Sequence, residues 1–475
     1  MKFTWTNIIS GLLILAAVLS VGWWVTYDPV KEFVTTEPGL DNRGEGAAVN
    51  LNVNIGEYFE RYGTSESNLT ETWPRFRGEN FDNISRSKVK LLNRFESGNP
   101  EIKWKVEMGE GHAGAAIFKG KVYVLDYDES SGADMLRCFS LVEGTELWRR
   151  WYKVHIKRNH GMSRTVPAVT DEYILTIGPR GHVMCVERND GKFLWGLNIE
   201  AEYESEIPFW YTGQCPLIDN GLAIIATGGK SLIVAIDCSN GEIIWETPNP
   251  HGWNMSHSSI MPFTFGGVKM YVYSAVGGAC GIMAEGSDAG SVLWETSAWN
   301  HQVVAPSPVC LPDGKIFLTA GYGAGSMVLQ LRKNGKDFEV EIVDQYLPKE
   351  GLASEQQTPV VFQGHLFGIL PKDAGPLRNQ LVCVNPEDFK RITWSSGQTV
   401  RFGLGPYMLA DGKLFILNDD GTLTMVKPDV NRYVQIDQAR IMEGHDAWGP
   451  LAIADGYMVL RDSKTLLCID LAESR

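Results

Sequence analysis

The chain has 475 residues, 44% of them hydrophobic and 21% charged, a balance that suits a folded protein with a large core and excludes a disordered one. Its net charge of −14, with no basic run interleaved with aromatics, argues against a nucleic-acid partner. Eight cysteines occur without a Cys-x-x-Cys pair, which argues against a zinc site built on cysteine.

The chain opens on Met1-Lys2 and a short polar stretch, followed by Ile8 to Val25 without a charge. As a helix this run spans roughly 27 Å, close to the thickness of a bilayer core. Lys2 precedes it and Asp28, Glu32 and Glu37 follow. That asymmetry keeps the N-terminus in the cytoplasm and exports the rest. Residues 1–25 are therefore expected to be a membrane anchor, spanning at residues 8–25, with a cleaved signal sequence as the rival reading. The remainder is expected in the periplasm, or otherwise outside the cytoplasm, held to the inner membrane. Residues 26–97 read as an acidic tether and lead-in segment.

From residue 98 onward the chain repeats. Pro167, Pro216, Pro262, Pro308, Pro359, Pro406 and Pro450 follow one another at intervals of 49, 46, 46, 51, 47 and 44 residues. Ala115 holds the same place 52 residues before Pro167, so there are eight units. Strand-rich units of this length are the mark of a β-propeller. Proline has no N–H for a ladder and so is confined to edge strands and strand starts, and the innermost strand of a blade is such an edge.

The third unit shows the pattern. Pro216-Leu217-Ile218 leads to the turn Asp219-Asn220-Gly221 and the run Leu222 to Ala226, then Ser231 to Ile236, the turn Ser239-Asn240-Gly241, and Ile243-Ile244-Trp245. Short β-branched runs joined by Asn-Gly turns are hairpin signals. The closing tryptophan recurs as Trp104, Trp148, Trp195, Trp245, Trp294 and Trp394, whereas the fifth and seventh units carry Val340 and Tyr433 nearby. The last unit, Pro450 to Leu471, has three strands, and the orphan strand Ile102–Val106 is expected to supply its fourth. The fold class is thus all-β, an eight-bladed β-propeller over residues 98–475 closed by an N-terminal outer strand and preceded by one transmembrane helix. Cys138, Cys185, Cys383 and Cys468 share one repeat position. Equivalent positions in different blades lie beyond disulfide reach, so these are expected to be small buried hydrophobes.

Three stretches carry a family likeness. Ala235 to Trp245 resembles the tryptophan-docking repeat of quinoprotein-type propellers; Trp73-Pro74-Arg75-Phe76-Arg77-Gly78 resembles the segment that precedes the propeller in bacterial pyrroloquinoline-quinone-like repeat proteins; and Ala447-Trp448-Gly449-Pro450 with Leu460-Arg461-Asp462 resembles their last blade. The likeness covers residues 73–471. It implies a family that includes quinone-dependent alcohol dehydrogenases and the assembly lipoprotein B of the outer-membrane protein machinery. The dehydrogenases carry an adjacent cysteine pair and a calcium site of Asp, Asn and Glu. This chain has no Cys-Cys pair, and the calcium pattern falls on no matching positions. The expectation is a non-enzymatic scaffold or binding module of the cell envelope, with no cofactor. The alternative is a periplasmic dehydrogenase using pyrroloquinoline quinone with calcium.

In a propeller the loops between blades and those between second and third strands share one face. Here those loops are long and the opposite turns are tight, so function is expected on the long-loop face. Seven of the nine histidines lie on the loops between blades. The expected ligand- or partner-binding residues are His112, Arg164, His257, Gln356, Arg401 and His445, with Gln214, Gln357, Trp210, Tyr211 and Trp448 beside them. A funnel so lined suits an anionic or sugar-like ligand or a loop of an envelope protein. The competing reading is of histidines that bond to backbone carbonyls in polar loops. No catalytic or metal-ligating residue is assigned: there is no Gly-x-Ser-x-Gly elbow, P-loop or His-Glu-x-x-His.

Overall fold

Each of the eight repeats folds into a small antiparallel sheet. The structure, a computed structural model, describes residues 5–27, 52–95 and 100–473. It divides into two units, Met1–Val49 and Asn50–Arg475. In the first, Trp5–Thr26 form an α-helix. Among the described residues no helix is long and apolar enough to cross a membrane, so the span expected at residues 8–25 finds no support in the structure. The expected tether falls largely on residues 28–51, outside the described residues.

The second unit is the propeller. Blade 3 follows the predicted pattern, with strands Leu217–Asp219, Leu222–Ala226, Ser231–Asp237 and Ile243–Pro248 hydrogen-bonded in that order. Its first turn has positive φ at both Asn220 (49°) and Gly221 (78°), the conformation whose twist matches the flanking strands. In the last blade Ala452–Ala454, Tyr457–Arg461 and Thr465–Asp470 are completed by Glu101–Glu107, which pairs antiparallel with the third strand, Glu101 opposite Asp470 and Val106 opposite Leu466. The expected closure is present, and it removes the seam that an open ring would expose.

The recurrent tryptophans dock each blade on the next. Trp104 donates its indole N–H to the Leu141 carbonyl of blade 1 at 2.7 Å, and Trp195 to the Cys238 carbonyl of blade 3 at 2.9 Å. Four of the six rings lie over a glycine with positive φ in the neighbouring blade's last turn: Trp104 over Gly144, Trp148 over Gly191, Trp195 over Gly241 and Trp245 over Gly290. A Cβ at Gly144 would sit 2.4 Å from the Trp104 ring, so the turn glycine serves both the backbone twist and the close approach. All eight cysteines are free thiols, and seven are buried.

The recurrent prolines mark a second linkage, around the channel. The Val166 amide donates to Cys215 Sγ (3.3 Å), the Cys215 amide to Ser259 Oγ (2.9 Å), the Ser259 amide to Ser307 Oγ (3.2 Å) and the Ser307 amide to Thr358 Oγ1 (2.8 Å). Blades 2 to 6 are thereby chained at the point where each inner strand begins. Cys215, Ser307 and Thr358 each directly precede a recurrent proline.

Residues 52–95 depart most from expectation. They belong to the unit that holds the propeller, whereas the sequence reads them as tether and lead-in. Tyr58–Arg61 pair with the outer strand of blade 1, Glu146–Lys153, and Thr72–Trp73 pair with its inner strand, Ala116–Phe118, so this blade has six strands. Beyond them the chain crosses the hub. Pro74 accepts from the Val169 amide of blade 2 at 2.8 Å. Arg75 donates to the Ile218 carbonyl of blade 3 at 3.2 Å. Arg77 donates to the Thr358 and Pro359 carbonyls of blade 6 at 3.0 and 3.2 Å, and Asn83 to the Tyr407 carbonyl of blade 7. A segment bonded to blades on opposite sides of a ring fills its centre. Burial pulls the Arg77 guanidinium down to about 10, a mark of how far inside it lies.

Candidate functional site

The crossing segment carries Phe76 into the channel, where it lines a cavity together with residues of the loops between blades. The empty space is about 820 Å³, including the part open to solvent. His112, Arg164, His257 and Gln356 line it together, each from a different blade boundary, with Gln357, Trp210 and Trp448. Loop geometry brings them together, because each lies just upstream of an inner-strand start and so at the same height on the ring.

Arg164 is the centre of the arrangement. Its Nε donates to the Trp210 carbonyl, and its Nη2 donates to the His160 carbonyl at 2.6 Å and to that of Gly161 at 3.4 Å. His112 Nε2 shares the His160 carbonyl at 3.3 Å. Burial, and then Arg164, push His112 down to about 3 and His257 down to about 4, so both rings are neutral at pH 7. Burial also pulls Arg164 down to about 10, which leaves it charged.

Aromatic rings form one wall. Trp210 stacks on Tyr322 with centroids 5.7 Å apart and on His257 at 6.3 Å, and Trp448 packs against His112 at 4.8 Å. Trp210, Tyr211 and Tyr322 all adopt left-handed backbone, with φ of 61°, 74° and 57°. Bulky side chains seldom take that conformation, and where they do, it clusters at ligand clamps. Beside Tyr322 lies Glu355, 1% exposed at its side chain and paired with Lys372 at 3.0 Å. The Lys372 ammonium lies over the Tyr322 ring at 4.9 Å.

Two of the six expected residues lie elsewhere. Arg401 turns onto its own loop and the neighbouring loop of blade 6, donating to the carbonyls of Gln398, Arg378 and Pro376. His445 leaves 83% of its side chain exposed, beside Asp446. Of the residues named beside them, Gln214 is buried and its amide pairs with the Ala226 backbone in both directions, so it extends a strand edge. Phe76, Tyr322, Glu355 and Lys372 escape the sequence reading. Tyr322 was the most accessible to it, because the loop Gly321-Tyr322-Gly323-Ala324-Gly325 sets an aromatic among glycines between second and third strands. Among the described residues no group of three or more His, Cys, Asp or Glu side chains is arranged to hold a metal ion.

The family model described as outer membrane protein assembly factor BamB matches residues 132–396. No curated protein matches the chain. Among solved structures, BamB from Moraxella catarrhalis is 10% identical with a TM-score of 0.51, covering 79% of this chain and 98% of its own. A europium-containing methanol dehydrogenase is 10% identical with a TM-score of 0.58, covering 82% of this chain and 89% of its own. Quinohemoprotein alcohol dehydrogenase from Comamonas testosteroni is 12% identical with a TM-score of 0.57, covering 85% of this chain and 81% of its own. At these identities the likeness shows the fold, and one fold hosts many functions.

Proposed function

Since this chain belongs to the family of the outer membrane protein assembly factor BamB, we propose that it is a non-enzymatic scaffold or binding module of the cell envelope, holding a partner protein or small ligand in the funnel of the long-loop face. The observation that carries this reading is the stacked Trp210 and Tyr322, two aromatics held in left-handed backbone at the wall of a cavity lined by several blades. Such backbone persists only where the surroundings over-determine it. Residues 8–25 are proposed as the membrane attachment on the strength of their charge-free run and the acidic residues that follow, with the propeller outside the cytoplasm.

The lining suits a quinone with calcium poorly. Among the described lining residues Glu355 is the one carboxylate, and Lys372 already neutralises it; calcium takes six to eight oxygen ligands, usually with several carboxylates. The rival reading, a quinone-dependent dehydrogenase, draws on the fold shared with two dehydrogenases.

A photo-crosslinker placed at Phe209, 66% exposed beside Trp210, is expected to capture an envelope protein in cells, while one at His365, on the turn face, captures none. Equal capture at both positions, or none at Phe209, removes the partner-protein form of this reading. Dye-linked alcohol oxidation gained on adding pyrroloquinoline quinone and calcium would replace the reading with the dehydrogenase.

A further inference from the structure

We infer that the funnel is a carboxylate-binding site, with the carboxylate seated on Arg164 and hydroxyl or N–H groups beside it on His112 and His257; the inference rests on the funnel being the working surface. Charge supplies the first argument. Among the described residues Arg164 has no carboxylate within ion-pairing distance, although it lines the same cavity as Glu355, whose charge Lys372 answers. Two of its nitrogens are committed to backbone carbonyls, and Nη1 has no protein acceptor among the described residues. A guanidinium does not shed its proton in proteins, so a partly buried one without a counter-charge calls for an anion.

Unpaired polar atoms supply the second. His112 Nδ1 and His257 Nε2 are buried without a hydrogen-bond partner. Buried polar atoms are nearly always satisfied, and an exception marks a functional site or an absent ligand. Nε2 of His112 donates to the His160 carbonyl, so its open Nδ1 is an acceptor and calls for a donor group beside the carboxylate. Arg164 lies between these two rings: it shares the His160 carbonyl with His112, and it holds by its carbonyl the same Trp210 on which His257 stacks.

The same atoms select the anion. The cavity offers one uncompensated positive charge and one open guanidinium nitrogen, Nη1, which matches a singly charged carboxylate. Phosphate would bring a second negative charge toward the Glu355 carboxylate. A cation would face Arg164 and Lys372. A neutral ligand would leave Arg164 without a counter-charge. The carboxylate comes either from a free small organic acid or from an acidic side chain or chain end that a partner protein inserts past Phe209.

The test is a titration of the full-length protein in detergent with sodium acetate, followed by NMR of isotope-labelled histidine rings. Acetate is expected to shift the His112 and His257 signals saturably and to leave His365 unmoved, whereas acetamide does nothing and phosphate binds about tenfold more weakly or worse. Arg164→Gln weakens acetate by about tenfold or more, the loss expected for one contact to a charged group, and Arg164→Lys, which keeps the charge, restores part of it. Should the Gln variant misfold, the comparison of acetate with acetamide on the unmodified protein still decides. Equal shifts with acetamide, tighter binding of phosphate, or no saturable shift overturns the inference. Capture at Phe209 tells that failure apart from failure of the binding-module reading: capture without an acetate response overturns only the carboxylate. Where both occur, acetate that competes with capture identifies a partner's inserted carboxylate, and capture that ignores acetate identifies a free acid.

Discussion

His112 is neutral where it sits because burial, Arg164 and Arg461 all disfavour its proton, and its value falls to about 3 against an ordinary 6.5. Between those two pH values the unfolded chain binds a proton that the folded chain refuses, so this residue's contribution is complete above about pH 6.5 and is lost as pH falls toward 3. His257, at about 4, acts in the same direction. Asp134 acts in the opposite one: burial raises it to about 7, and Tyr152 donates to it. The folded state therefore holds its proton longer than the unfolded state, and stability is lost as pH rises from about 4 to 7. His112→Asn is expected to flatten the fall of Tm on acidification, and Asp134→Asn to flatten the fall toward neutral pH. Thermal scans from pH 4 to 8 check both, and parallel curves for wild type and variants would show that neither residue titrates on folding. The four funnel residues were legible because their distance upstream of each inner strand fixes their height on the ring. Arg401 shared that spacing and still turned away: three carbonyls of its own loop and its neighbour's satisfy it, and side-chain direction inside an irregular loop leaves no period in a sequence.

At the scale of an element, the docking of an outer strand on the next blade's turn is the repeating unit of stability. Gly144→Ala is expected to cost about 1–3 kcal/mol, the range for a residue held in a disfavoured backbone region, because φ there is 68° and the new Cβ strikes the Trp104 ring. Trp104→Ala removes about 3–5 kcal/mol of packing together with the bond to the Leu141 carbonyl. The two changes share one contact and do not add: the cost of Gly144→Ala shrinks once Trp104 is Ala. A urea-unfolding cycle over the four variants measures this, and strict additivity would mean that the ring and the turn do not meet. This level of structure was readable, since a tryptophan and a turn glycine returning at a fixed spacing can be counted. The belt of side-chain acceptors around the channel was not, because cysteine, serine and threonine play one role in it and an identity-based repeat misses the equivalence.

At the scale of the molecule, the hub segment ties inner strands that the ring itself keeps apart. A chain lacking residues 1–95 is expected to unfold at a lower temperature and to be cleaved faster by protease than one lacking residues 1–49; equal Tm values would show that the crossing segment adds nothing to the ring. Arg77→Met tests the same point at one position. It leaves the buried carbonyls of Thr358 and Pro359 without their donor, at about 1–3 kcal/mol for each group left unsatisfied. That residues 69–95 cross the hub was not legible, although Trp73 to Gly78 carried a family likeness, because they belong to no repeat. Their partners are remote, and nothing local in Arg75 or Arg77 says which blade each will reach.

That crossing segment also sets a clock. Glu71 accepts a hydrogen bond from the backbone of Asp455, 384 residues later, and the closing strand waits for Thr465–Asp470. A single blade is local in sequence and can form soon after its four strands are made. Hub and closure need both ends of the chain, and contacts so distant along the sequence form slowly. Synthesis proceeds toward the C-terminus, so Glu71 and Glu101–Glu107, made before the blades, are among the last to find their places. Until then they present unpaired strand edges to whatever is near, and the maturing chain spends its most vulnerable interval as a nearly finished arc of blades.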